Sequence, residues 1–314
     1  MTQAGVPASG MLRPLSLGET LDRAVTLVVR HARSFALTGL VYVLPLAVMQ
    51  YFIRKTTAGS YQQLLAQIQG HPSNPDLAAF PWGWFAALIA FSSVFVPFVV
   101  TAYAAAVAAL YSGRAPDWRP AYLPGLRKAG SILLAEVICG AILVGAVMAG
   151  SFALVISTSI VILIARFAAP IGIVLGIIAA LAMIAFALFV GAVYLALWFA
   201  VLAIALEDTG VTAAFSRGFA RIFARGEFGR ALLMCLSFFA IYLMNFMLSA
   251  GVSMLLLTSA KLQPLDVVLQ GVLQLFFLAL FATLLGVYYF DVRVRREGLD
   301  IQRQLEELDA AARA

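Results

Sequence analysis

The sequence predicts an all-α, polytopic membrane protein with six transmembrane helices, forming a single membrane domain over residues 1–314. Apolar residues make up 63% of the chain and charged residues 11%, whereas soluble domains average about 45–50% and about 25%. Five uninterrupted apolar blocks are also long enough to cross about 30 Å of hydrocarbon. Too little polar material remains to coat a water-facing surface, so the composition excludes water-soluble enzyme folds.

Charge asymmetry sets the number of spans. The apolar tract 131–206 carries only two charged residues, Glu136 and Arg166, and by length could form two long helices or three short ones. Two helices give six spans, and with a cytoplasmic N-terminus every Lys and Arg then lies inside except Arg54, Lys55, Arg166 and Lys261. A seventh span would destroy this positive-inside bias. We therefore predict both termini in the cytoplasm and spans at 35–53, 82–111, 131–164, 170–206, 231–258 and 265–290.

Three features refine this threading. Residues 1–15 and 301–314 are expected to be flexible cytoplasmic tails. Pro170 suits the first turn of the fourth span, where backbone N–H groups have no intrahelical partner. Each helix of the 131–206 tract would be about 50 Å long at 1.5 Å per residue, which exceeds the hydrocarbon thickness. We therefore expect a kink near Gly145 to Gly150 or an apolar protrusion at the outer surface.

A short amphipathic segment precedes each odd-numbered span. Before the first span, Ser16 and Glu19 have the spacing of a capping box, which marks a helix start. The segment 116–128 before the third span is interrupted by prolines and is the weakest of the three. Basic, amphipathic helices of this kind are typical of elbows that lie in the membrane surface. With starts near Ser16, Asp117 and Asp208, the chain suggests a threefold repeat of elbow helix and transmembrane hairpin.

Arginines mark the third elbow and the C-terminal segment. The third elbow is expected to open at Asp208 or Thr209, with arginines at four-residue spacing opposite its apolar face. Guanidinium groups bind phosphate through charge-assisted hydrogen bonds, and basic clusters beside a membrane attract anionic lipid. The candidate lipid- or phosphate-binding residues are Arg217, Arg221, Arg225, Arg293, Arg295 and Arg296. Their role as topology determinants would also explain them.

Polar side chains within the spans are the other candidates. Glu136 is the only acid well inside a predicted span, and such residues often mark a proton or ion path. It also lies close enough to the inner boundary to be purely structural. Asn245 should reach the same depth as Gln274, which predicts an interhelical amide hydrogen bond. The candidate intramembrane polar residues are Glu136, Asn245, Gln270 and Gln274.

The sequence contains no pattern typical of a catalytic, metal or cofactor site. His31 and His71 fall on opposite sides of the predicted membrane and cannot share a metal ion within one chain. Phosphate-binding glycine loops, nucleophile elbows and paired carboxylates are also missing from the sequence. We therefore expect no enzymatic activity, no cofactor and no nucleic-acid partner.

Three segments, 13–24, 194–217 and 288–300, resemble the six-span bacterial proteins named for the membrane domain of glycerophosphoryl diester phosphodiesterase. The first reads RPLSLGETLDRA and the last YYFDVRVRREGLD. The resemblance implies a bacterial inner-membrane protein of undefined role. Because this chain ends about 20 residues after its last predicted span, we expect no phosphodiesterase domain and no hydrolase activity.

Three functional hypotheses follow. The first is a non-enzymatic inner-membrane protein that organises anionic lipid, a partner protein or a second copy through its basic cytoplasmic face. The second is a translocator of a small solute, an ion or a lipid, which predicts a polar cavity between the spans. The third is a membrane subunit of a separately encoded phosphodiesterase, which rests on analogy alone.

Overall fold

A computed structural model describes residues 13–68, 82–256 and 262–298. The predicted tails therefore lie outside the described residues, apart from residues 13–15. Within the described ranges the chain forms ten helices. They are α1 (Leu17–Arg30), α2 (Ala32–Ile68), α3 (Trp82–Tyr111), α4 (Trp118–Ala121), α5 (Leu123–Arg127), α6 (Ala129–Phe167), α7 (Ala169–Leu206), α8 (Val211–Ile222), α9 (Phe228–Leu256) and α10 (Gln263–Glu297).

Six of these helices are long and apolar enough to cross a membrane, which confirms the predicted all-α, six-span architecture of a multi-pass membrane protein. The six candidate spans are Ala32–Ile53, Trp82–Tyr111, Ala129–Phe167, Ala169–Leu206, Phe228–Leu256 and Pro264–Glu297. The tract 131–206 thus forms two helices rather than three, and they meet at Ala168. Pro170 lies in the first turn of α7, as expected.

The α6–α7 hairpin is longer than any bilayer core requires. At 39 residues, α6 extends for about 58 Å, and its helix is continuous through Gly145 and Gly150. The two helices pack closely, because a Cβ on Gly150 would come within 2.5 Å of the Phe186 ring. Towards the hairpin tip the outward side chains are apolar and exposed, reaching 86% at Phe167.

The first elbow helix begins as the sequence predicts. Ser16 caps α1 by accepting a hydrogen bond from the backbone N–H of Glu19 (3.3 Å), and the Glu19 carboxylate accepts one from Ser16 N (2.7 Å), which confirms the capping box. The third elbow, α8, begins later than expected, at Val211 with Gly210 as its N-cap. Asp208 has a left-handed backbone with φ of 56°, so it belongs to the turn that follows α7 rather than to a helix start.

The start of α1 and the end of α10 lie at the same end of the bundle, which we call the basal end. Here Leu15, just before α1, donates a backbone hydrogen bond to Asp291 near the end of α10 (2.6 Å). Residue 15, assigned by sequence to a flexible tail, is therefore buried. The largest buried side chains, including Tyr103, Phe199 and Tyr289, lie in the basal halves of α3, α7 and α10. The packed core therefore lies mainly at the basal end.

Candidate functional site

A network of charges with a buried centre joins α7, α8 and α10 at the basal end. We call it the basal ion cluster, and it consists of Glu207, Arg217, Arg221, Tyr289, Arg293 and Glu297. Arg221 lies at its centre and is only 5% exposed. Its guanidinium contacts Glu207 at 2.6 Å and 3.0 Å and donates from Nε to Glu297 at 2.8 Å. It also lies 5.3 Å from the centre of the Tyr289 ring, within cation–π range.

Glu207 is the anion that holds this cluster together. Its side chain is 6% exposed and also contacts Arg217 at 3.0 Å and Arg293 at 3.4 Å. Burial by itself would raise the pKa of Glu207, but hydrogen bonds from Arg221 and Tyr289 and the positive charges of Arg221 and Arg293 outweigh it. Together they lower the pKa from 4.5 to about 2. The carboxylate therefore stays ionised at neutral pH.

The arginines of the predicted α8 stripe lie in different environments in the structure. Arg221 does not lie on the outward face, because it shares the buried face with Ala214 and Gly218. A Cβ at Gly218 would come within 2.9 Å of Ala200 N on α7, so α8 lies directly against the α7 backbone. Arg225 is exposed. Arg217 and Arg221 therefore both serve the internal network, and Arg225 lies beyond the end of α8 at Ile222.

A second network fastens the N-terminal segment to the bundle. Asp291 is 3% exposed and accepts hydrogen bonds from Leu15 N (2.6 Å), Arg230 (2.6 Å) and Arg295 (3.3 Å). Arg230 also donates to the Leu15 carbonyl at 3.0 Å. Arg295 therefore holds Asp291 and the N-terminal segment, while Arg296 is exposed.

Sequence reasoning missed the carboxylates of both networks. Glu207 follows immediately after the apolar run of α7, and Asp291 interrupts the run at the end of α10. Both acids lie at the end of an apolar run, and this placement is the sequence feature that could have identified them. Such positions are partly desolvated, so a carboxylate there requires a cationic partner. These acids form ion pairs with Arg217, Arg221, Arg293 and Arg295. Most of the predicted lipid-binding arginines therefore already have partners within the chain.

Two other basal pockets combine exposed arginines with apolar walls. The α1–α3 pocket has a volume of about 610 Å³, and its lining includes Arg23, Arg30 and Arg114. The α3–α5 pocket has a volume of about 420 Å³ and is walled largely by alanines, with Arg114 and Arg127 on its lining. Arg114 therefore belongs to both pockets. Within the described residues, Arg30, Arg114 and Arg127 form no ion pair.

Four amide side chains meet between the spans in what we call the amide cavity. It has a volume of about 370 Å³ and is lined by Gln50, Ile53, Phe85, Leu88, Asn245, Ser249, Gln270 and Gln274. The predicted Asn245–Gln274 hydrogen bond does not form. Gln274 instead accepts from Gln50 Nε2 at 3.5 Å, and Oδ1 of Asn245 is buried without a hydrogen-bond partner among the described residues.

The remaining sequence candidates lie apart from these sites. Glu136 is partly buried on α6 and does not line the amide cavity. Cys139 and Cys235 are free thiols. In the ranges that the structure describes, no group of three or more His, Cys, Asp or Glu side chains is placed to hold a metal ion.

Comparison with known proteins identifies no relative of this chain. No protein-family model, no curated protein and no solved structure matches it. The resemblance carried by the three sequence segments therefore stays a prediction, and function must be argued from the sites themselves.

Proposed function

We propose that this integral membrane protein binds anionic lipid at its basal end and thereby organises lipid around the bundle. The observation that carries this proposal is the pair of basal pockets that share Arg114. Each combines an apolar wall with exposed guanidinium groups at the end of the spans. A lipid needs this combination, because its phosphate seeks charge-assisted hydrogen bonds while its acyl chains seek apolar contact.

The carboxylates in the α1–α3 pocket do not cancel its positive charge. Glu19 is held by Arg13 and by its capping hydrogen bond from Ser16 N. The hydrogen bonds from Ser16 and Arg13 lower the pKa of Glu19 to about 2. Asp22 remains as the second acid in the pocket lining, against the guanidiniums of Arg23, Arg30 and Arg114. The positive charges of the lining therefore outweigh the negative ones, which favours the binding of a phosphate.

In this proposal the basal end faces the cytoplasm of a bacterial inner membrane. The excess of Lys and Arg in the segments at this end supports that orientation, because cytoplasmic loops carry such a bias. The cytoplasmic leaflet is also the source of anionic headgroups. The lipid site thereby moves from the α8 stripe that the sequence favours to arginines that have no internal carboxylate partner among the described residues.

Lipid retention by the purified protein tests the proposal. We expect native mass spectrometry in detergent to show that phosphatidylglycerol is retained in preference to phosphatidylcholine. Neutralising Arg30, Arg114 and Arg127 together, each to Gln, should weaken phosphatidylglycerol binding by about 3 kcal/mol, or about a hundredfold, at about 1 kcal/mol for each arginine.

Two control variants locate the effect. Arg166→Gln removes one positive charge near the α6–α7 hairpin tip, away from the basal end, and should leave phosphatidylglycerol retention unchanged. Arg225→Gln with Arg296→Gln removes two exposed arginines of the sequence-predicted set and should have less effect than the pocket variant. Equal retention by the wild type and the pocket variant would overturn the proposal, and a larger loss in the Arg225 and Arg296 variant would place the lipid at those two arginines instead.

A further inference from the structure

The amide cavity lies at a depth where polar side chains are costly. Asn245 belongs to α9, which ends at Leu256, and Gln274 belongs to α10, which begins at Gln263. At 1.5 Å per residue, both side chains lie about 17 Å from these helix ends. Four amides therefore converge within the part of the bundle that would face hydrocarbon, where an unsatisfied polar group costs several kcal/mol.

Hydrogen bonding inside the protein satisfies only part of this group. Gln270 is well held, because its Nε2 donates to the Ser249 carbonyl at 2.7 Å and to Ser253 Oγ at 3.0 Å. Gln50 and Gln274 share one long contact of 3.5 Å. Asn245 Oδ1 is buried and accepts nothing from the described residues. The cavity lining therefore includes one amide whose oxygen has no partner in the described chain and two amides that are weakly hydrogen-bonded.

The lining selects for an uncharged ligand. Amides both donate and accept hydrogen bonds, and none of the side chains that line the cavity carries a charge. Asp266 is the nearest acid along α10, but it is 4% exposed and accepts from Ser253 Oγ at 3.2 Å. Ile53, Phe85 and Leu88 supply an apolar wall of the cavity. At about 370 Å³ the cavity matches the lower range of small-molecule pockets.

We propose that the amide cavity binds a small uncharged polyhydroxylated group, with a ligand hydroxyl donating to Asn245 Oδ1. A hydroxyl group can also accept from Gln274 Nε2 and donate to Gln50 Oε1, so several neighbouring hydroxyls would satisfy the three amides that the protein leaves underused. The C–H faces of such a ligand suit the apolar wall. The same chemistry is presented by a free sugar and by the headgroup of a neutral glycolipid.

Galactose, galacturonate and monogalactosyl diacylglycerol are the probes that test this site. Saturation-transfer NMR on the full-length protein in detergent should detect galactose binding, and galacturonate, which adds one negative charge, should bind at least tenfold more weakly. Stronger retention of monogalactosyl diacylglycerol than of diacylglycerol in native mass spectrometry would assign the site to a lipid headgroup. Binding of free galactose alone would assign it to a solute. No preference in either arm would overturn the proposal.

Asn245→Leu tests the named contact. It replaces the buried amide by an apolar side chain, so we expect the protein to remain folded while its affinity for the neutral probe falls about tenfold. Ser237→Ala is the matched control, because Ser237 lies on the same helix outside the cavity lining and donates to the Leu233 carbonyl. Phosphatidylglycerol retention at the basal pockets should be unchanged in both variants, so the two proposals fail separately. Equal probe affinity in wild type and Asn245→Leu would show that the probe does not contact Asn245 and would overturn the proposal.

Discussion

Replacing Glu207 by Gln removes the anion of the basal ion cluster while keeping the shape of the side chain. In the native protein, Arg217, Arg221 and Arg293 all lie within 3.4 Å of this carboxylate. The variant leaves Arg221 buried with the Glu297 carboxylate as its remaining anionic partner. An arginine keeps its charge in all proteins, so the cost cannot be avoided by deprotonation.

The pKa of Glu207 gives the magnitude. Lowering that pKa from 4.5 to about 2 means that ionised Glu207 stabilises the folded state by about 3 kcal/mol. This contribution is fully present above pH 4.5 and is lost as the pH falls towards 2. Gln resembles the protonated acid, so Glu207→Gln should lower the free energy of unfolding by about 3 kcal/mol at pH 7. The gap between the two proteins should shrink below about pH 5.

Equilibrium unfolding in mixed micelles of dodecyl maltoside and sodium dodecyl sulfate, from pH 7 to pH 3, measures this gap. Asp22→Asn is the control, since it neutralises an exposed acid of α1 at the same end of the bundle and should change the unfolding free energy by less than about 0.5 kcal/mol. A Glu207→Gln deficit below about 1 kcal/mol at pH 7 would refute the assignment of Glu207 as the central anion. A deficit that stays constant down to pH 3 would refute its low pKa.

Two further substitutions test how the basal end is assembled. Asp291→Asn weakens the buried acceptor of Leu15 N, so we expect a loss of about 3–5 kcal/mol and faster hydrogen exchange at the start of α1; unchanged exchange there would contradict the contact. Gly218→Ala places a methyl group against the α7 backbone at Ala196 and should destabilise the protein by about 1–3 kcal/mol. Gly229→Ala, where a Cβ meets nothing within 4 Å, should instead be neutral or slightly stabilising, and equal effects of the two alanines in thermal unfolding would argue against close α7–α8 packing.

The spans and the start of α1 could be predicted because their causes are local. Twenty apolar residues in succession identify a membrane-crossing helix wherever they occur, and Ser16 with Glu19 identifies a helix start from four positions. The start of α8 was misplaced by contrast. Asp208 is a good N-cap residue by type, but its left-handed backbone serves the α7–α8 turn. Turn geometry depends on where the next helix packs, and a local pattern does not contain that information.

The arginines show the same limit at the level of function. Spacing predicts Arg217, Arg221 and Arg225 on one helical stripe, but α8 ends at Ile222 and Arg221 lies on its buried face. The spacing of residues along a helix does not show which face packs against the rest of the protein. The partner of Arg221 on α10 is Glu297, which is distant in sequence. Only the fold brings it within 2.8 Å. A row of arginines can therefore be recognised from sequence. Which of them form internal ion pairs and which stay accessible depends on acids that only the tertiary structure brings close.

For the polar residues inside the spans, sequence likewise predicts the depth of a side chain but not its hydrogen-bond partner. The constant rise of a helix made the common depth of Asn245 and Gln274 predictable, and both do line one cavity. Their mutual hydrogen bond was not predictable, because α2 also approaches α10 and brings Gln50 to Gln274 instead. That third helix leaves Asn245 Oδ1 without a partner in the described chain. The wrong pairing is thus informative. An Asn245 side chain hydrogen-bonded to Gln274 would only join two helices, whereas an unpaired Oδ1 on a residue that lines a cavity is the observation from which the ligand proposal is argued.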